Sequence, residues 1–119
     1  MSCSDKDEPT PEPSGIVRCK VTCDVEYPQS CQAGETIEVK LLSITVEAER
    51  SPAPYVKDVV FCARGEKLFT EEKPWTGAPL TFRTKVNRED DPTLDIVFEF
   101  KMSDNLQTYT SDIYFVRVH

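Results

Sequence analysis

The stretch TLDIVFEFKM, residues 93–102, alternates polar and apolar side chains, with Val97 as the single apolar residue at a polar position. In an extended chain successive side chains point to opposite faces, so this stretch presents one apolar face and one polar face. The stretch VRCKVTCDVEY, residues 17–27, has the same period of two. Both stretches therefore predict half-buried β-strands.

Working outward, residues 37–48, 56–64, 80–86 and 108–118 predict further strands, and a short extended piece lies around Leu68 and Phe69. The buried positions of the second strand shift after Leu41 to Leu42, Ile44, Val46 and Ala48, which predicts a β-bulge there. TEEKPWTGAP, residues 70–79, is predicted to be a loop. The expected core comprises Val21, Val25, Val39, Leu41, Ile44, Phe82, Ile96, Phe98 and Phe100.

These segments predict an all-β fold for residues 16–119, since strands follow one another at short spacing and no stretch shows a sustained helical period. We expect an immunoglobulin-like antiparallel β-sandwich of about seven strands. Residues 1–15, MSCSDKDEPTPEPSG, are rich in acidic residues and proline and have almost no apolar surface to bury. They predict a disordered N-terminal tether.

A chain of 119 residues is long enough for one domain with a single core. Its net charge of −7 would repel phosphate backbones, so nucleic acid is not an expected partner. No apolar run has the length of about 20 residues that a membrane-spanning helix needs. A link to a membrane would therefore be covalent or made through a partner.

The side chains that could carry catalysis are sparse. His119 is the single histidine, so no positioned imidazole is expected beside a serine or cysteine nucleophile. Glu89, Asp90, Asp91 and Asp95 are interpreted as an acidic turn rather than a calcium site. We expect no enzyme activity, no metal site and no cofactor.

The cysteines leave two interpretations open. Cys19 and Cys23 lie on one face of one strand, about 13 Å apart, which is too far for a disulfide or for shared metal ligation. Cys23 and Cys62 fall near the same end of the predicted sandwich. They either form a disulfide or stay, like Cys19 and Cys31, as buried thiols.

The stretch CSDKDE, residues 3–8, resembles the start of mature Bacteroidetes-type lipoproteins, in which a lipid-modified cysteine precedes a short acidic segment. The resemblance implies that Cys3 is the lipidation site and that Met1 and Ser2 stand where a signal peptide has been removed. It also implies a cell-envelope protein anchored to the outer membrane, on either its periplasmic or its surface face. A native start followed by a disordered cytosolic tail is the alternative.

These features predict a non-enzymatic lipoprotein that binds a protein partner in the cell envelope or serves as an accessory subunit of a conjugation or other envelope assembly. Tyr55, Trp75 and Leu106 are the expected binding residues, since their loops are predicted to meet at the tethered end. EKPWTG, residues 72–77, is similar to a loop of chagasin-type cysteine-protease inhibitors, which gives a first alternative function. A carbohydrate-binding module with Trp75 as its stacking platform is a second alternative.

Overall fold

A computed structural model describes residues 17–64 and 69–119. The described residues form strands and a single turn of 3₁₀ helix, with no α-helix among them. The strands are β1 (Cys19–Glu26), β2 (Ser30–Cys31), β3 (Thr36–Ala48), β4 (Val56–Ala63), β5 (Phe69–Pro74), β6 (Leu80–Lys85), β7 (Thr93–Met102), β8 (Thr108–Thr110) and β9 (Tyr114–Val118), and the 3₁₀ turn is Arg88–Asp90.

The strands pair into two sheets. The smaller sheet has the order β1-β3-β6, and the larger has the order β2-β9-β7-β4-β5 with β8 beside β7. Every pairing is antiparallel except that of β2 with β9. The all-β sandwich prediction is confirmed. The strands of the described residues exceed the expected seven because the last segment divides into β8 and β9 and because β2 was not foreseen. The narrower immunoglobulin-like assignment stays a prediction.

The core lies between the sheets and is centred on three phenylalanines. Phe61 of β4, Phe82 of β6 and Phe98 of β7 have ring centroids 5.1 to 5.6 Å apart, so both sheets contribute to one aromatic cluster. Of the expected core residues, Val39, Leu41, Phe82, Ile96, Phe98 and Phe100 are buried. Val21, Val25 and Ile44 pack against this core while partly exposed.

The predicted bulge is present in β3. Val25 of β1 pairs with Leu41, whereas the preceding Asp24 pairs with Ser43, so Leu42 has no partner across the ladder. The extra residue resets the alternation, and Ile44 and Val46 then pack against the core. Leu42 itself is 40% exposed, which corrects its placement among the buried positions.

The loop predicted at residues 70–79 is partly wrong. Residues 69–74 form β5, which pairs with β4 along the edge of the larger sheet. An edge strand has a neighbour on one side only, so its polar sequence does not show the alternation of a half-buried strand. The predicted tether, residues 1–15, lies outside the described residues.

The loops 49–55 and 103–107 share one end of the sandwich with the start of β1. The backbones of Tyr55 and Ser103 bond directly, from Ser103 N to the Tyr55 carbonyl at 2.8 Å. Gln107 Nε2 donates to the Val17 carbonyl at 2.8 Å. In the part of the chain that the structure describes, no helix has both the length and the apolar character to cross a bilayer.

Candidate functional site

The inward face of β1 carries two cysteines and leads to a tyrosine. Cys19, Cys23 and Tyr27 fall on the same side of the chain, because positions of equal parity share a face. β1 is an edge strand of the smaller sheet, while β8 and β9 pair with successive parts of β7 on the side away from β4 in the larger sheet. The two sheets therefore bring this row of side chains against the tyrosines of β8 and β9.

The closest approach in this row is between a thiol and a phenol. Cys23 Sγ and Tyr114 Oη are 3.4 Å apart, and either atom can be the donor. The ring of Tyr27 lies against that of Tyr114, with centroids 5.2 Å apart and planes tilted by 54°. We call Cys23 and Tyr114 the thiol–phenol pair.

Burial keeps both members of the pair protonated. It raises the pKa of the Cys23 thiol above its ordinary 9.0, an effect that the hydrogen bond to Tyr114 opposes and the charge of Asp112 reinforces. Burial also raises the pKa of the Tyr114 hydroxyl strongly, and Cys23 and Asp112 add to this rise. At neutral pH the pair is therefore S–H and O–H, with no thiolate.

Hydrogen bonds at the start of β1 fix the position of this row of side chains relative to β8. The Cys19 backbone N–H donates to Tyr109 Oη at 3.2 Å, and the Tyr109 hydroxyl donates in turn to Gln107 Oε1. The Cys19 thiol donates to the Val17 carbonyl at 3.4 Å. Burial raises the pKa of Tyr109, so this phenol too stays protonated. These hydrogen bonds hold β1 against β8 at Cys19, four residues before Cys23 of the pair.

The expected binding residues lie at the end of the sandwich where β1 begins. Tyr55 and Leu106 are 67% and 57% exposed, and their loops are joined through Ser103. Trp75 is partly buried and packs against the core, with its backbone N–H donating to the Lys57 carbonyl at 3.0 Å. Their role in binding a protein partner stays a prediction. Cys3, the expected lipidation site, lies outside the described residues.

The disulfide considered between Cys23 and Cys62 is not formed. None of Cys19, Cys23, Cys31 and Cys62 is in a disulfide, and Cys31 and Cys62 are buried. Cys23 meets Tyr114 instead, while Cys62 sits in β4 between Val97 of β7 and Thr70 of β5. The parity of β4 explains this, because Phe61 and Ala63 face the core and Cys62, between them, faces away from β1.

The acidic turn has a structural part that the sequence did not reveal. Asp90 is buried and accepts hydrogen bonds from Arg64 Nη2 at 3.1 Å and from the Asn87 backbone N–H at 2.8 Å. Across residues 17–64 and 69–119, no three His, Cys, Asp or Glu side chains come together in a group that could hold a metal ion.

The pair itself was missed because its members are 91 positions apart in the chain. One signal was available. Tyr114 lies on the same face of the last strand as Val116 and Val118, both buried, so its side chain is expected to point towards the core.

No protein-family model and no curated protein matches this chain. Among solved structures, the superoxide reductase (neelaredoxin) from Ignicoccus hospitalis is similar, with a TM-score of 0.56 and 10% sequence identity over 82% of this chain and 80% of that one. Two variants of the same enzyme align over the same shares at TM-scores of 0.56 and 0.55. The likeness lies in the fold.

This likeness corrects the expected function. The chain was interpreted as a non-enzymatic module, with the protease inhibitor and the carbohydrate-binding module as alternatives, and as having no enzyme activity. A redox enzyme has a sandwich of this kind, so the fold does not support the prediction of a non-enzymatic module.

Proposed function

We propose that this domain is a redox protein that reduces small one-electron oxidants of the superoxide class with hydrogen atoms from Cys23 and Tyr114. The observation that carries the proposal is the 3.4 Å contact between two oxidisable groups that burial keeps protonated. Both groups give up a hydrogen atom in the protonated form. A nucleophilic, two-electron reaction with a peroxide would need the thiolate, which the raised pKa of Cys23 disfavours.

The reaction proceeds in two balanced transfers. Protonated superoxide, the hydroperoxyl radical, takes a hydrogen atom from Cys23: the S–H bond breaks, an O–H bond forms, and the products are hydrogen peroxide and a thiyl radical. The Tyr114 hydroxyl then passes its hydrogen atom to the sulfur across their contact, which restores the thiol and leaves a phenoxyl radical. A low-molecular-weight thiol, as the external reductant, returns a hydrogen atom to Tyr114: its S–H bond breaks, the phenol O–H bond re-forms, and the resulting small thiyl radicals couple in pairs to a disulfide.

The surroundings of the pair suit this chemistry. The ring of Tyr27, 5.2 Å from that of Tyr114, offers a second phenol over which the unpaired electron can be shared. Cys23 is only partly buried, so a small oxidant can reach its sulfur. The likeness of the fold to superoxide reductases supports the choice of oxidant class.

A metal-based redox centre is not what these residues fit. Transition metals in such centres take several imidazole, thiolate or carboxylate ligands at once. The chain has one histidine, and the described residues bring no three potential ligands together. The proposal therefore rests on side chains of the chain itself.

The test is superoxide decay followed by stopped-flow absorbance, with freeze-quenched electron paramagnetic resonance to detect a phenoxyl radical. Wild-type protein should speed the decay and show the radical. Tyr114→Phe should lose the radical, and Cys23→Ser should lose the acceleration. Tyr55→Phe is the matched control, because Tyr55 is exposed and its backbone N–H donates to Ser103 rather than to either member of the pair. If the Tyr114→Phe variant accelerates superoxide decay and forms the phenoxyl radical as the wild type does, the proposal is wrong.

We also propose that the domain is held at the cell envelope by lipid on Cys3. The support is the sequence CSDKDE, in which an acidic segment follows the cysteine at once. Expression of a full precursor with a signal peptide, followed by membrane fractionation, tests this. Cys3→Ser should move the protein to the aqueous fraction, and a variant that stays with the membrane would contradict the lipid anchor.

A further inference from the structure

A groove lies on the outer face of the larger sheet, away from the thiol–phenol pair. It has a volume of about 440 Å³ and is lined by Gln29, Ser30, Thr93, Phe115, Arg117 and His119. Since β9 alternates, Phe115 and Arg117 turn outward while Val116 and Val118 are buried. Strand alternation thus places an aromatic ring and a cation in succession along one groove.

Arg117 sits between two hydroxyl side chains. It pairs with Ser30 of β2 on one side and with Thr93 of β7 on the other, so the three residues form a row across the sheet. Directly paired side chains in a sheet are about 5 Å apart, close enough for one small anion to touch all three. The Arg117 backbone N–H donates to the Gln29 carbonyl at 3.0 Å, which fixes the strand that carries the cation.

The charge of Arg117 is not neutralised by the chain around it. Among the described residues no carboxylate lies within ion-pair distance of its guanidinium, whereas Arg64 and Arg83 each have such a partner. Asp95 pairs with Phe115 and is the carboxylate on the neighbouring strand that a ligand would have to tolerate. An adjoining hollow of about 430 Å³ shares His119 with the groove and is lined by both Arg88 and Asp91, so it adds no clear excess of positive charge.

Phe115 sets the body of the ligand. Its ring is 53% exposed one step along β9 from Arg117, in a chain whose net charge of −7 otherwise favours a polar, acidic surface. A planar apolar group can rest on this ring while a carboxylate meets the arginine fork and the flanking hydroxyls.

We infer that this groove binds a small organic carboxylate with an aromatic body, the carboxylate on Arg117 and the ring against Phe115. The site is separate from the thiol–phenol pair and does not depend on the redox proposal.

The probe is benzoate, titrated into ¹⁵N-labelled protein and followed by amide chemical shifts. Saturable shifts are expected around residues 29–32, 93 and 115–119. Benzamide, which has the same shape without the charge, should bind at least about tenfold more weakly than benzoate. Arg117→Gln should weaken benzoate binding by about tenfold, and Phe115→Ala by severalfold. Arg18→Gln is the matched control, because it removes the same charge from an exposed residue at the start of β1.

Three results would overturn the inference. The first is that benzoate at tens of millimolar leaves the groove amides unshifted, and the second is that benzamide binds as well as benzoate. The third is that inorganic phosphate binds as tightly as benzoate while Phe115→Ala changes nothing, which would reduce the groove to a site for simple anions. Because Arg117 is exposed, the dispersion of the variant's spectrum shows directly whether it is folded.

Discussion

Asp90→Ala should be one of the most destabilising changes outside the aromatic core. Arg64 follows β4 of the larger sheet, and its guanidinium donates to Asp90 Oδ2 at 3.1 Å and to the Lys85 carbonyl at 2.6 Å. Asp90 also accepts from the Asn87 N–H at 2.8 Å. The ion pair therefore joins the end of β4 to the end of β6 in the smaller sheet, at the opposite end from Val17.

The magnitude follows from burial. The side chains of Arg64 and Asp90 are 17% and 6% exposed, so solvent screens their attraction only weakly. The alanine variant loses two hydrogen bonds to a charged group, each about 1.5 to 3 kcal/mol, and leaves a largely covered guanidinium without its counter-charge. Water entering the site recovers part of this. We expect a loss of about 3 kcal/mol in the free energy of unfolding, or about 12 to 24 °C in Tm for a domain of roughly 100 residues.

Urea denaturation followed by circular dichroism measures this loss. Asp90→Asn is the control, because it keeps an acceptor for the Asn87 N–H but removes the charge, and it should cost about half as much. A double-mutant cycle with Arg64→Gln should give a coupling energy above about 1 kcal/mol. A loss below about 1 kcal/mol for Asp90→Ala, or additive single effects, would refute the idea that the pair ties the sheets together.

Three further predictions follow from burial. Phe98→Ala, at a position with no exposed surface and two ring neighbours, should cost about 3 to 5 kcal/mol by urea denaturation; a loss below about 1 kcal/mol would contradict the packing. Trp75→Ala should cost about 2 kcal/mol, since its ring is only partly buried, and an unchanged Tm would show that the ring does not support the core. The raised pKa values of Cys23 and Tyr114 mean that the unfolded chain loses these protons first, so their contribution to stability should be constant between neutral pH and about pH 8 and fall above about pH 9. A pH series of Tm should show a shallower fall for Cys23→Ser, and an equal fall would argue against the shift.

Much of the fold could be predicted because a strand with one buried face alternates apolar and polar residues in its sequence. Phe98 and Phe100 lie in the strand with the clearest alternation, and both are buried. The sequence of β5 shows no such alternation. It pairs with β4 alone, and the sequence TEEKP within it has the polarity of a loop, so only the ladder identifies it as a strand.

Of the candidate site, the inward position of Cys23 could be predicted from the sequence, and its contact with Tyr114 could not. The alternation of β1 placed Cys23 on the inward face, but the identity of its neighbour depends on which edge of the larger sheet closes over that face. Sequence periodicity says which way a side chain points and is silent about strand order. Tyr114 therefore became a partner of Cys23 through topology, and so did the groove in which Ser30, Arg117 and Thr93 align from three strands.

The bulge in β3 makes an unusual prediction about deletions. Val25 pairs with Leu41 and Asp24 with Ser43, so removing Leu42 leaves both ladders in register and keeps every later side chain on its present face. Removing Thr45 instead would turn Val46 outward and Glu47 inward, which buries a charge and exposes an apolar group.

Deletion of Leu42 should therefore give a folded protein whose Tm lies within several degrees of the wild type, because the 40%-exposed side chain contributes little to the core. Deletion of Thr45 should abolish cooperative melting. Thermal denaturation and amide chemical-shift dispersion of the two variants, each one residue shorter, make the comparison. If the Leu42 deletion unfolds as completely as the Thr45 deletion, Leu42 is not a spare residue in the ladder, and its backbone must supply a bend that the packing of β1 on β3 requires.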